Sequence, residues 1–480
     1  MVLAGMQGPS TAVARFPAAP PWPPWSFRGH PSSALISAQL WLAILLGALG
    51  LVAGLIAVQH GWRPRPGRLI AGSVLAVVAL LVLPPVGSGD MLDYAVFGRI
   101  AALGHNPYVM TPGQLETSGD PVGAVAAPVY RNQPSRYGPV ATGTEEAASD
   151  LAGASPARTI FWLKAWNAVA YLMLVLALDR LLHLDAARRV RAHLLWSLNP
   201  LMLWAVLAGG HNDGLAVAFG AGALLALRRV EPRRALLAGL LLGVAAAIKA
   251  PFALFGVGLL WAARRSPRSM VALAAAAAAI VTPCYVLAGR AAISATMGVA
   301  TMAPVGYTPW FAVTRVLHLA HATASINALG LVAFVVLAVI LLWRLPSGPV
   351  DFPAVRVALA AALAWLLVTP QQHSWYFVMI FPLVAVMPAS RLDWIAVAGA
   401  SVSAWADLPR LYNVTQVHPV WLSVVARNAT SGIAPIALTM TSAALLWLCY
   451  TNCWRSSEDG EPLTSRRGRH EEKTAARLRV

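Results

Sequence analysis

Long apolar blocks constrain this chain more than any other feature. Between residues 36 and 450, hydrophobic segments follow one another with short polar, Gly or Pro breaks. They show neither the alternation of a half-buried strand nor the stripe of a soluble amphipathic helix. Hydrophobic residues make up 58% of the sequence and charged residues 11%, against roughly 25% charged in soluble domains. A soluble enzyme is excluded, and an all-α polytopic membrane protein is the expected fold class.

A bilayer core about 30 Å thick needs about 20 apolar residues per helix. Candidate spans lie at about 36–59, 69–86, 159–182, 192–208, 213–227, 234–248, 250–263, 269–288, 323–343, 355–369, 374–388, 392–407 and 431–450. This gives 11–13 transmembrane helices, because short Pro-bounded segments such as 250–263 read equally as half-helices. Residues 1–35 carry Pro20-Pro21-Trp22-Pro23-Pro24, lack the order of a signal peptide, and are expected to be a disordered Pro/Ala-rich N-terminus. Residues 36–450 then form the transmembrane body and 451–480 a charged tail.

The net charge of +17 would suit a nucleic-acid partner if the basic residues clustered on a polar domain. Instead they fall between apolar blocks: Arg63, Arg65, Arg68; Arg188, Arg189, Arg191; Arg228, Arg229, Arg233, Arg234; Arg264, Arg265, Arg268; Arg466, Arg467, Arg469. Positively charged loops stay on the cytoplasmic side. Alternating the spans places all these runs there, with the C-terminal tail, in a multi-pass protein of the cell membrane. No nucleic acid is expected; the surroundings are membrane lipids. Cys284, Cys449 and Cys453 lie in or beside apolar segments and indicate neither a disulfide framework nor a zinc site.

The opposite, extracytoplasmic face receives 87–157, 209–212, the Lys249–Pro251 junction, 289–320, 370–373 and 408–430. Segment 87–157 is the longest polar stretch and holds seven of the nineteen acids: Asp90, Asp93, Glu116, Asp120, Glu145, Glu146 and Asp150. Asp90 and Asp93 stand just beyond an apolar segment. From there to Leu103 the pattern is helical, with Asp90, Asp93, Tyr94 and Phe97 on neighbouring faces, as in a helix lying along the membrane surface. Carboxylates at such a boundary suit acid/base work. The plainer reading is a helix N-cap. The pair could also hold a divalent cation, but two carboxylates alone make an incomplete site, so metal is left undecided.

Three further clusters face the same way. His211, Asn212 and Asp213, after Gly209-Gly210, open the next apolar segment, where ionisable groups are costly unless paired or hydrated. Gln371-Gln372-His373-Ser374-Trp375-Tyr376 sets amide and imidazole donors beside aromatic rings, an arrangement able to hold a sugar or lipid headgroup; Trp375 and Tyr376 also read as interfacial belt residues. Lys249, one of only three lysines, ends an apolar segment at Ala250-Pro251 and is a point charge for a lipid-linked phosphate or a snorkelling side chain. Arg131 and Arg136, before Tyr137-Gly138-Pro139, are rival phosphate ligands. There is no GxxxxGK[ST] loop, HExxH or CxxC to anchor ATP-driven transport or zinc proteolysis.

The run from Asp90-Met91-Leu92-Asp93-Tyr94 through Phe97-Gly98-Arg99 to His105-Asn106-Pro107-Tyr108 resembles the first non-cytoplasmic loop of polyprenol-phosphate-mannose-dependent mannosyltransferases. So do Arg136-Tyr137-Gly138-Pro139, Asn199-Pro200 with Gly209–Asp213, Lys249-Ala250-Pro251 and Gln371–Tyr376, in the same order. The chain is similar to the actinobacterial α-1,6-mannosyltransferases that build lipomannan cores, with Leu92 and Asp93 where that pattern usually has Tyr or Ser.

The resemblance implies a GT-C-type glycosyltransferase whose catalytic loop is 87–157. Polyprenyl-phosphate mannose would be the donor and a glycolipid or lipoglycan the acceptor, with transfer on the outer face. It implies Asp90 or Asp93 as base and Lys249, Arg136 or Arg131 at the donor phosphate. Tyr94, Arg99, Tyr108, Tyr137, His211, Asn212, Asp213, Gln372, His373, Trp375 and Tyr376 would contact substrate, Trp375 and Tyr376 by stacking on the sugar. No cofactor is certain, and a divalent cation is possible. The alternatives are transfer of another sugar from the same lipid or, in another class, a lipid-linked sugar flippase. A flippase predicts ionisable groups near helix centres and a repeat between halves, and neither is evident.

Overall fold

The computed structural model describes residues 1–454 except 16, 18, 20, 129, 299–304, 306, 317–322, 349–351 and 409–418. The basic tail read as cytoplasmic, Arg466–Arg469 included, lies outside the described residues. Those that are described form helices and turns, with no β-strand and only isolated bridges.

Among the described residues, five helices are long and apolar enough to cross a membrane: Ser33–Gln59, Pro156–Leu181, Pro267–Gly298, Ile326–Arg344 and Val420–Thr451. Their large apolar side chains are exposed along much of their length, among them Leu45, Leu46 and Leu49 on the first and Leu331, Val332 and Val335 on the fourth. Exposed apolar surface on this scale is at home in lipid. Five shorter apolar helices, Pro66–Leu81, Asp213–Ala226, Ala250–Ala263, Pro353–Val368 and Ser374–Val386, pack beside them. A count of 11–13 spans therefore depends on counting segments that are short or broken.

The breaks have local causes. Segment 192–208, expected as one span, is instead two π-helical turns, His193–Ser197 and Leu203–Ala208, either side of Asn199-Pro200. Pro200 has no N–H to continue a helix. The Asn199 side chain accepts from the Leu201 N–H at 3.0 Å and donates to the Leu195 carbonyl at 2.9 Å, satisfying the ends the proline frees. Segment 374–388 is likewise a 3₁₀ turn, Ser374–Met379, followed by the short helix Phe381–Val386 with Pro382 in its first turn.

Two expectations about the first hundred residues are corrected. Residues 1–35, expected to be disordered, include the helix Val2–Met6 and bury Ala4, Ala12 and Val13. Val13 pairs with Val86, and the Gly87 N–H donates to the Ala12 carbonyl at 2.8 Å. The Pro-rich composition fails as a sign of disorder here because its few small apolar residues have an apolar wall, Leu83 and Val86, to lean on.

The helix Asp90–Ala102, expected to lie along the membrane surface, is buried on every side from Asp90 to Gly98. Segment 87–157 is thus not an open loop but a small helical lobe, with Pro112–Thr117 and Pro139–Ala152 around it and Met91, Val96, Ile100, Leu115, Val122 and Ala148 as its core. Gly98 makes the close approach possible: a Cβ there would stand 2.1 Å from the Glu145 carbonyl oxygen.

Candidate active site

Four breaks in the helical body bring the polar clusters to one cavity. Asp90 is the first residue of its helix, after the Gly89 N-cap, and Asp93 stands one turn on. Neither acts as the N-cap. The Asp93 Oδ1 accepts the N–H of Ala127, 34 residues away, at 3.1 Å. The second break is Arg136-Tyr137-Gly138-Pro139. Here the Gly138 N–H donates to the Ile248 carbonyl at 3.0 Å, and a Cβ on Gly138 would lie 2.1 Å from the Ala247 carbonyl oxygen. Only glycine lets this turn seat on the end of helix Pro232–Ile248. Lys249 follows immediately in extended conformation, and its Nζ lies over the Tyr137 ring at 5.9 Å and the Tyr376 ring at 4.6 Å. The third break presents His211–Asp213 and the fourth Gln371–Tyr376.

The cavity has a volume of about 670 Å³. Asp90, Asp93, Arg136, Tyr137, Lys249, His373, Trp375 and Tyr376 line it, all of them expected as site residues. Behind this wall, the Asp213 Oδ2 accepts from Lys249 Nζ at 2.6 Å, and His211 Nδ1 stands 3.2 Å from Asp90 Oδ2. The His211 approach is not an aligned hydrogen bond, since Nδ1 has no hydrogen-bond partner among the described residues.

Other expected residues are not on the cavity wall. Tyr94 is buried with its ring edge-on to Tyr137 at 4.8 Å. Tyr108 shares a hydrogen bond of 2.9 Å with Thr142. Arg99 pairs with Asp120 and the half-exposed Arg131 with Glu116, each at 2.8 Å. Asn212 and Gln372 are buried, and the Asn212 amide has no partner among the described residues.

The stacking role expected of Trp375 is not available to it. The His211 ring centre lies 3.8 Å from that of Trp375 and the His373 centre 4.3 Å, with planes 15° and 4° from parallel. Two imidazoles that near one indole would overlap if they shared a face, so they cover opposite faces. Only the indole edge reaches the cavity. Tyr376 has the Lys249 ammonium over its ring and Trp365 at 5.2 Å.

Burial and charge divide the carboxylates. Burial pushes the Asp90 carboxyl up, but His211, His373 and Lys249 outweigh it and hold it below the ordinary aspartate value. For Asp93 burial and the neighbouring charges of Asp90 and Glu145 act together and push the carboxyl well up against the opposing Ala127 N–H. Glu145, buried with both oxygens unpartnered among the described residues, is pushed well up by burial. Burial likewise keeps the Tyr94 and Tyr137 phenols protonated. The arrangement thus pairs one ionised carboxylate with a neutral neighbour, facing a lysine across a cavity. Two oxygens are left unpartnered among the described residues: Asp90 Oδ1, an acceptor, and Asp93 Oδ2, which carries the proton of the neutral acid and can donate. No three His, Cys, Asp or Glu side chains converge as a metal site among the described residues.

Residues 2–265, which supply Asp90, Asp93, Arg136, Tyr137, His211 and Lys249, match the profile of the α-(1→6)-mannopyranosyltransferase N-terminal domain. The chain belongs to this family. A probable α-(1→6)-mannopyranosyltransferase of Mycolicibacterium smegmatis is 30% identical over 166 residues, 34% of this chain and 30% of that protein. An α-(1→6)-mannopyranosyltransferase of Mycobacterium tuberculosis is 26% identical over 141 residues, 29% of this chain and 24% of that protein. The matched stretches thus cover under a third of these relatives. In this mannopyranosyltransferase family member the remaining wall, His373, Trp375 and Tyr376, comes from beyond residue 265.

Two buried acids escape sequence reasoning. Asp407 ends the apolar helix Leu392–Asp407 and its Oδ2 accepts the Ser374 N–H at 3.0 Å, a pairing 33 residues apart. Glu145 sits in a polar Ala/Ser/Thr segment whose burial is not written in its composition. An acid at the end of an apolar segment was the available signal for Asp407.

Proposed function

We propose that this protein transfers mannose from polyprenyl-phosphate mannose to a glycolipid or lipoglycan acceptor on the outer face of the membrane, inverting the donor linkage to form an α-1,6 bond. One observation carries the reading: the ionised Asp90 and the Lys249 ammonium line one cavity in a chain of the mannopyranosyltransferase family. Asp90 takes the proton from an acceptor hydroxyl as that oxygen bonds to the anomeric carbon. The bond from that carbon to the phosphate oxygen breaks, and the departing phosphate carries the electron pair. Lys249, held by Asp213, and Arg136 offset its charge. Removal of the proton contributes about 10²–10⁴ in rate, and charge stabilisation of the leaving group adds to it. Asp93, protonated, is available to donate a hydrogen bond to the sugar.

The outward side follows from the arginine runs under the positive-inside rule. One of those arginines is less informative than the others, because Arg191 is buried on Asp393 at 2.5 Å and does not sit in a polar loop. The C-terminus is then cytoplasmic.

Incubating membranes that contain the protein with labelled polyprenyl-phosphate mannose, followed by mass and linkage analysis of the glycolipids, should yield a mannose-extended product with a new α-1,6 bond. Extension by another sugar would replace the donor assignment. Movement of labelled lipid across vesicles that lack any acceptor would favour a flippase.

A further inference from the structure

The Asp407 carboxylate is 7% exposed, and the described residues place no Lys or Arg within an ion-pair distance of it. A buried carboxylate in that state is costly, so its contacts matter. Besides the Ser374 N–H, its Oδ1 lies 4.0 Å from His373 Nδ1, and the Tyr307 hydroxyl is 3.4 Å from the same nitrogen. One edge of the His373 ring therefore faces protein. The ring plane is fixed by the stack on Trp375 and by the edge-on Tyr376 at 5.6 Å. The opposite ring nitrogen, Nε2, has no partner among the described residues, and His373 lines the cavity. Position, plane and tautomer of an imidazole are set by the partner of its other nitrogen.

We infer that Asp407 is a positioning residue: it holds His373 and the Ser374 backbone so that His373 Nε2 donates to a phosphate oxygen of the lipid-linked sugar in the cavity. This rests on the donor assigned above. The phosphate then meets two donors from different parts of the chain, Lys249 from the matched family domain and His373 from the region beyond it. Asp407 never touches the substrate. It acts by orienting the ring, with Nδ1 toward the carboxylate and the Tyr307 hydroxyl and Nε2 toward the cavity.

The test uses the full chain in membranes with labelled polyprenyl-phosphate mannose, reading kcat and the donor KM separately. D407N keeps an oxygen for the Ser374 N–H but removes the charge. It should raise the donor KM about tenfold, roughly 1.4 kcal/mol, while kcat for the folded protein stays within about threefold. H373A should raise the KM similarly, and the D407N/H373A double variant should be no worse than H373A alone, because positioning is worthless without the ring. An unchanged KM in D407N overturns the proposal, as does a double variant in which the two losses multiply. Should D407N fail to accumulate, H373Q against H373A decides: the glutamine amide can still donate and should recover most of the KM, and equal values overturn the proposal. If wild-type protein turns over this donor while the variants miss these results, only Asp407 and His373 are misassigned. If the wild type does not turn it over, the donor reading falls and this inference with it.

Discussion

Two buried charge clusters in this protein are built from the same residue types and are left in opposite states. At the arginine-rich end, Arg191 donates twice to Asp393, at 2.5 and 2.7 Å, and spends its remaining hydrogens on the carbonyls of Val384, Ala385 and Met387. Beside it Asp179 accepts from Arg189 twice and contacts His193 at 2.8 Å, and His193 reaches Ser197. Each carboxylate oxygen of that cluster has a hydrogen-bond partner, and none of its residues lines the cavity between the polar clusters. At the lobe, Asp90 and Asp93 each keep an unpartnered oxygen, Lys249 has a single carboxylate, and all three face about 670 Å³ of space. A Ser, His and Asp in a row, as at Ser197, His193 and Asp179, would attract attention on sequence or distance alone. His193 and Ser197 are buried, Asp179 is part-buried, and all three are hydrogen-bonded to one another or to Arg189, which marks them as structural, whereas unsatisfied polar atoms around a void mark a site.

The contrast can be broken from either end. The largest effect is expected at the saturated cluster. Arg191→Ala strands the Asp393 charge and should lower stability by about 3–5 kcal/mol, whereas Arg191→Met combined with Asp393→Leu should recover most of it. Thermal unfolding of the protein in detergent checks this, and transfer by whatever remains folded should be close to normal. At the cavity the order reverses. Lys249→Met with Asp213→Asn removes a pair without leaving a buried charge, so stability should change little, yet kcat/KM for the donor should fall about 10²–10³-fold, as when an electrostatic stabiliser is lost.

A smaller effect is expected at Glu145. Its folded pKa is raised, so the folded protein holds a proton that the unfolded chain, with a pKa near 4.3, gives up. Its contribution is therefore fully present below about pH 4.3 and is lost as pH rises toward the folded value. Glu145→Gln should remove that part of the decline, so the wild-type and variant melting curves should converge in acid and separate toward neutral pH. The smallest effect belongs to the exposed pair: Arg131→Gln should change stability by about 0–1 kcal/mol and transfer by less than about twofold, because Arg131 is engaged with Glu116 away from the cavity.

Legibility in the sequence followed the physics of each feature. Apolar blocks announce membrane helices because a bilayer imposes length and composition, and Ser33–Gln59 and Pro156–Leu181 fall close to where the blocks put them. Polar residues at helix breaks were legible as site candidates, and the cavity collects Asp90, Asp93, Arg136, Lys249 and His373. Their partnerships were not legible. That Lys249 rests on Asp213, that both imidazoles clamp Trp375, and that Gly138 seats on the Ala247 carbonyl are long-range packing facts with no local signature. The burial of helix Asp90–Ala102 escaped for the same reason: its two acids suggest a wet face, and only the closely apposed helix Pro139–Ala152 removes it.

The central claim is that burial and neighbouring charges make Asp90 the base and leave Asp93 protonated. It is tested most directly by measuring mannose transfer from labelled polyprenyl-phosphate mannose in Asp90→Asn and Asp93→Asn side by side, at equal amounts of folded protein. Asp90→Asn should lose about 10²–10⁴-fold in kcat. Asp93→Asn, an amide in place of a neutral acid, should lose far less, and the wild-type rate should persist in acid until below the ordinary aspartate pKa of about 4. Equal losses in the two variants, or a greater loss in Asp93→Asn, would contradict the assignment.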